Sequence, residues 1–184
     1  MRSHPSIIAA ALLMAMGCGD TAKKSADPEG PDPLEARERI AAMEDSLFDQ
    51  DGFDMRQAQA LVDVYKRYVL TFQRDTILPE YLFRAANVCR SMGDPQQTIM
   101  LYDRILQEYP SWEKLPDVAY LKAFVIDTDL GQKGEARRAY QRVINYFPDH
   151  PFAADARAMI DNLELTDQQL IERFQQMEKD TVAP

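Results

Sequence analysis

The sequence predicts an all-α fold of antiparallel helix pairs, and three observations carry that prediction. Apolar residues recur at helical spacing over most of residues 35–184. Glycine is scarce, with 7 in 184 residues, and long stretches carry no turn signal. Two segments in the middle of the chain repeat each other at a constant offset.

The first helix of the predicted body places Ile40, Met43 and Leu47 at helical spacing, with Gly52 at the following turn. Residues 54–73 follow, with Ala58, Leu61, Val62, Tyr65, Val69 and Phe72 on one face. Together these form a degenerate first pair. Asp49-Gln50-Asp51-Gly52 has the flavour of a calcium loop but fails as one. Leu47 stands where a ligand should open the loop and Ala58 where one should close it, so a helix end and turn is the better reading.

The internal repeat comes next. Gly93-Asp94-Pro95-Gln96-Gln97-Thr98-Ile99-Met100-Leu101-Tyr102 runs on to Tyr109-Pro110, and Gly131-Gln132-Lys133-Gly134-Glu135-Ala136-Arg137-Arg138-Ala139-Tyr140 runs on to Phe147-Pro148. Gly93 and Gly131 are 38 residues apart, as are Tyr102 and Tyr140, Tyr109 and Phe147, and Pro110 and Pro148. The glycine suits a left-handed position closing a first helix. Thr98 and Ala136 are small enough for close approach of the second helix to the first. Tyr102 and Tyr140 fill the seam between the two, and the proline stops the second helix.

The C-terminal part continues the pattern. Phe152, Ala153, Ala156, Met159, Ile160 and Leu163 lie on one helical face. Thr166 to Gln169 reads as a capping box opening a last helix, with Leu170, Ile171, Phe174 and Met177 inward. The expected count is eight helices in four pairs.

This pattern resembles the tetratricopeptide repeat. Leu82, Ala85, Ala86 and Cys89 hold first-helix signature positions of one repeat, and Tyr120, Ala123 and Phe124 those of the next. The best repeats are 79–110 and 117–148. Two features depart from the family pattern: Asp127 replaces an apolar residue at the seam, and Ser111-Trp112-Glu113-Lys114 lengthens the link. The resemblance implies a short right-handed superhelix whose concave groove holds a protein or peptide. By the repeat register Phe83, Asn87, Arg90, Leu121, Val125 and Thr128 would line that groove, with flanking repeats covering Leu121 and Val125 as the alternative. Trp112, the only tryptophan, is either a partner-binding anchor or a residue folded back onto the core. Asp127 reads as a seam that opens toward solvent, or as a polar contact in the groove.

Residues 1–17 read as a secretory signal peptide, with Arg2 before the apolar run Ile7 to Met16. That run is too short to span a bilayer, which takes about 20 residues. Leu13-Met14-Ala15-Met16-Gly17-Cys18 resembles a bacterial lipobox, in which the cysteine thiol carries diacylglycerol. Ala15 stands where a branched apolar residue is usual, and Ala15-x-Gly17 also suits an ordinary signal peptidase. Residues 18–34 then comprise the lipidated Cys18 and a polar, Pro- and Gly-containing tether. Its reach is roughly 20–25 Å. The lipobox, the tether and Tyr146-Phe147-Pro148-Asp149-His150-Pro151-Phe152-Ala153 also resemble the outer-membrane-protein assembly lipoprotein family. The resemblance implies a lipid-anchored protein of the bacterial cell envelope, outer membrane favoured, facing the periplasm.

Composition points away from several other functions. Net charge is −9, with no basic stripe for nucleic acid. Two histidines, His4 and His150, and two cysteines, Cys18 and Cys89, are poor material for a metal site or a His-based triad. No phosphate-cradling glycine loop occurs, so no cofactor is implied. Cys89 reads as buried packing and His150 as a turn or cap. No catalytic or metal-ligating set is assigned, and binding is expected rather than catalysis. A small-molecule, glycan-binding or enzymatic use of the groove is the alternative, and a self-assembling module a third. The sequence does not set the oligomeric state.

Overall fold

The computed structural model describes residues 31–49 and 52–166, and beyond them 168, 169, 171–173, 175 and 176. The signal peptide, Cys18, most of the tether, Gln50 and Asp51, and the expected core residues Leu170, Phe174 and Met177 lie outside the described residues. The described chain is all-helical: α1 Pro33–Phe48, α2 Met55–Thr71, α3 Leu78–Ser91, α4 Pro95–Glu108, α5 Leu115–Thr128, α6 Lys133–Tyr146 and α7 Pro151–Asn162. Helical residues resume at Gln168.

Local chemistry sets most helix ends. Asp32 accepts from the Leu34 amide at 2.9 Å, with Pro33 in the first turn, so α1 starts inside the stretch read as tether. Asp54 caps α2 through the amides of Arg56 and Gln57, which pull its carboxyl below the ordinary range. Asp94 caps α4. His150 caps α7, its Nδ1 accepting from the Phe152 amide at 3.3 Å. Thr166 and Gln169 make the expected reciprocal capping box: the Thr166 amide donates to Gln169 Oε1 at 2.9 Å and the Gln169 amide to Thr166 Oγ1 at 3.3 Å. Ile171, in the helical residues that follow, is 51% exposed, which corrects its assignment as an inward residue.

The repeat glycines are left-handed, Gly93 at φ 76° and Gly131 at φ 65°. At Gly93 the Asp94 amide closes on the Cys89 carbonyl and the Gly93 amide on that of Arg90. At Gly131 the corresponding closure from Gln132 reaches Ile126, one residue further back.

The joints between pairs repeat three times, once more than the sequence reading found. Phe72, Tyr109 and Phe147 end second helices with φ of −110°, −128° and −131° and ψ of 51°, 56° and 53°. Each carbonyl accepts from the amide three residues on, in Asp75, Trp112 and His150. Those residues accept in turn from Leu78, Leu115 and Ala153. The pair α1–α2 is therefore joined to the array as the later pairs are.

Consecutive helices pack on each other throughout, and α5 also meets α7. Tyr102 and Tyr140 are buried in their seams, as are Thr98 and Ala136, which permit the close approach. Burial divides into two clusters. One gathers Ile40 and Leu47 of α1 with residues of α2, α3 and α4; the other gathers α6 and α7 around Tyr140. Helix α5 serves both, giving Val118 and Val125 to the first and Ala123 and Ile126 to the second.

Candidate functional site

The first helices α1, α3 and α5 carry a chain of alternating charges. Arg84 of α3 holds both carboxylate oxygens of Glu44 in α1, at 3.0 and 3.1 Å, through Nη1. Its Nε donates to Glu80 Oε1 at 2.9 Å. Glu80 Oε2 accepts from Lys114 Nζ at 2.8 Å, and Lys114 is the residue that opens α5. Tyr65 donates to Glu44 from below. Glu80 and Arg84 can do this because four-residue spacing puts them on one face of α3.

The two cations are 41–42% exposed and the two carboxylates 18–22%, so solvent screens the pairs and the network contributes through geometry more than through isolated pair energies. Burial raises the Glu80 carboxyl, but the hydrogen bonds from Lys114 and Arg84 outweigh it and hold the group below its ordinary range. Burial lowers the Arg84 guanidinium, and its two carboxylate partners more than reverse that. Burial, then the Glu44 hydrogen bond, pushes the Tyr65 hydroxyl up. Glu80 and Arg84 therefore keep their charge at neutral pH. A cavity of about 380 Å³ opens between α1 and α3, lined by Glu44, Phe48, Tyr65, Arg84, Asn87 and Ser91 among others. Phe48 stands 61% exposed at its edge. The cavity therefore offers an apolar wall beside fixed charges of both signs, which suits a peptide with polar backbone and apolar side chains.

The residues expected to line a groove fall in different surroundings. Asn87 is exposed and lines the cavity, its Oδ1 accepting from Tyr102 at 2.8 Å. Arg90 is bound bidentately to Asp129, at 2.8 and 3.2 Å, with its guanidinium 4.9 Å from the Phe124 ring centroid. The Arg90 hydrogen bond draws the Asp129 carboxyl below its ordinary range. Thr128 is exposed, its hydroxyl 2.6 Å from Asp129 Oδ1. Phe83 is half-buried against Trp112 and Tyr102, with centroids 5.8 and 6.1 Å apart. Leu121 is half-buried against the first core cluster. Val125 is 0% exposed, so it lines no groove; the flanking helices cover it.

Trp112 packs against the first core cluster at the joint before α5, with Lys114 Nζ 5.7 Å from its ring centroid. Asp127, at the seam position that Cys89 holds one repeat earlier, is half-buried and accepts from the Tyr140 hydroxyl at 3.4 Å. Burial pushes its carboxyl up. Cys89 is fully buried, takes a hydrogen bond from Gln97 at 3.3 Å, and burial pushes its thiol up, away from reactivity. Among the described residues no group of three or more His, Cys, Asp or Glu could hold a metal ion, and no helix is long and apolar enough to cross a membrane.

Sequence reasoning missed Glu44, Arg84, Glu80 and Lys114. The only local signal was the four-residue spacing of Glu80 and Arg84. The other two partners are 40 and 34 residues away in sequence.

No curated protein matches this chain. Residues 80–111 and 118–150 match the family model of the tetratricopeptide repeat, one residue beyond the expected start of each repeat. Those stretches coincide with α3–α4 and α5–α6, so the centre of the chain carries two repeats of tetratricopeptide type within an all-α array of helix pairs built on the same plan.

Proposed function

We propose that the chain is a lipid-anchored scaffold of the bacterial cell envelope, facing the periplasm, that holds a protein or peptide partner on the face of its first helices. The observation that carries this is the ordered charge chain Glu44–Arg84–Glu80–Lys114 beside the cavity at Phe48 and Asn87. Tetratricopeptide repeats generally mediate protein–protein interactions, and side chains held by their neighbours lose little freedom when a partner arrives. The anchor rests on Cys18 at the end of the apolar run, and two or three acyl chains there would hold firmly where one is marginal. Outer-membrane attachment and a part in envelope assembly follow from the resemblance of the N-terminus and of residues 146–153.

Crosslinking in the native cell, followed by affinity purification and mass spectrometry, tests both halves. A discrete set of envelope proteins is expected with the wild type. Arg84→Glu should remove it, and Cys18→Ala should scatter it while releasing the protein from the membrane fraction. Unchanged capture with Arg84→Glu would reject the first-helix face, and membrane retention of Cys18→Ala would reject the lipid anchor.

A further inference from the structure

We propose that a second site, a pocket between the second helices α4 and α6 and floored by α5, takes a bulky apolar side chain from an acidic protein segment. The pocket originates in the repeat register. In the first repeat Tyr81 and Leu101 are both buried, at 4% and 6% exposure. Tyr81 packs on Tyr65 and Tyr68 of α2, with centroids 5.4 and 4.9 Å apart. Thirty-eight residues on, the same positions hold Ala119 and Ala139. Two alanines where the preceding repeat uses Tyr and Leu leave a cavity of about 410 Å³, walled by Leu106, Leu115, Tyr146 and Phe147. Leu106, Leu115 and Phe147 rest on the two cores, but their cavity-facing sides forgo dispersion contacts, which an inserted ring or branched side chain recovers.

The rim selects the charge of the segment that brings this side chain. Lys122 and Arg142 stand at the cavity wall. Lys122 is tied to Asp103. Arg142 shares Glu135 with Arg138, at 3.7 Å, and its side chain is 53% exposed. One carboxylate facing two guanidiniums leaves a positive surplus. Helix α6 as a whole has Lys133, Arg137, Arg138 and Arg142 against its single acid Glu135, with Glu164 pairing Arg137 at 2.6 Å, which still leaves a positive surplus in a chain of net charge −9. A basic helix on an acidic protein favours an acidic partner over a neutral or basic one. An anionic membrane could use the same arginines, but a headgroup plane does not fill an apolar cavity of about 410 Å³.

This inference rests on the reading of the chain as a protein-holding scaffold, but it uses other helices, so the two can fail separately. The test measures binding of short fluorescein-labelled Asp/Glu-rich peptides, with Phe, Leu or Ala at the centre, to the full chain in mild detergent. The Phe and Leu peptides should bind at least about tenfold tighter than the Ala peptide. Ala139→Leu, which restores the side chain of the first repeat, should erase that preference. Arg142→Glu should weaken binding about tenfold or more. Arg84→Glu should change nothing here. Circular dichroism confirms that each variant is folded, with Ala119→Val as the substitute if Ala139→Leu is not. Equal binding of the Phe and Ala peptides, indifference to Ala139→Leu, or equal sensitivity of phosphatidylglycerol vesicle binding to Ala139→Leu would each overturn the proposal. Failure here, with partner capture still abolished by Arg84→Glu, would leave the first-helix scaffold standing.

Discussion

Replacing Tyr140 by alanine should unfold one end of the array and spare the other. Tyr140 is 0% exposed, fills the seam between α5 and α6, and lies 5.7 Å from the Tyr120 ring by centroid. Truncating a buried aromatic side chain to alanine costs about 3–5 kcal/mol through lost contacts and the cavity left behind. A domain of this kind is stable by only about 5–15 kcal/mol in total. In a repeat array the loss stays near its origin, because each unit leans chiefly on its neighbours. Tyr140 belongs to the second core cluster, while α1 to α4 draw on the first. Native-state hydrogen exchange should therefore show α6 and α7 losing protection by roughly a hundredfold or more, equivalent to 3–5 kcal/mol, with α2 to α4 nearly unchanged. Tyr140→Phe keeps the ring and should cost about 1 kcal/mol, the value of one modest hydrogen bond. A uniform fall in protection across all helices, or a Tyr140→Ala effect under about 1 kcal/mol, would refute the two-core account.

Asp127→Asn should stabilise the protein at neutral pH. The folded carboxyl is pushed above its unfolded value by burial, so the folded state binds a proton more tightly. Wild-type stability relative to the variant should thus fall as pH rises from the unfolded pKa through the raised folded one, and level off above it; urea melts of both proteins across mildly acid pH would show it. Gly131→Ala should cost about 1 kcal/mol, because φ of 65° strains any side chain even though no atom lies near the added Cβ. Gly134→Ala, inside α6 at ordinary φ and with equal space, should instead raise stability by up to about 0.5 kcal/mol. Thermal melts of the pair separate backbone strain from packing.

The parts of the fold legible in the sequence are those written into one residue type at one position. Gly93 and Gly131 mark left-handed turns, Tyr102 and Tyr140 the seams, and Pro110 and Pro148 the helix ends, because each chemistry is required locally. The joint at Phe72 escaped notice because no proline follows it; its shape comes from the same backbone hydrogen bonds without the same letters. Val125 was misplaced for a different reason. Helix α5 is apolar on nearly every side, packed by α4, α6 and α7, so no polar stripe tells which residues face outward. The charge chain was invisible because Glu44 and Lys114 reach Arg84 and Glu80 only after folding brings separate pairs together. The second pocket was latent in the offset that exposed the repeat: Tyr81 against Ala119, Leu101 against Ala139.

Helix α5 contributes side chains to both cores. Mechanically, the two ends of the array are springs in series and α5 is the coupling between them. A pull on a tether at Pro31 and a load carried by α7 meet in this one element, which cannot rotate to relax one side without disturbing Val118 and Val125 on the other. A load placed on α6 or α7 would then be felt, through α5, by side chains of the first core.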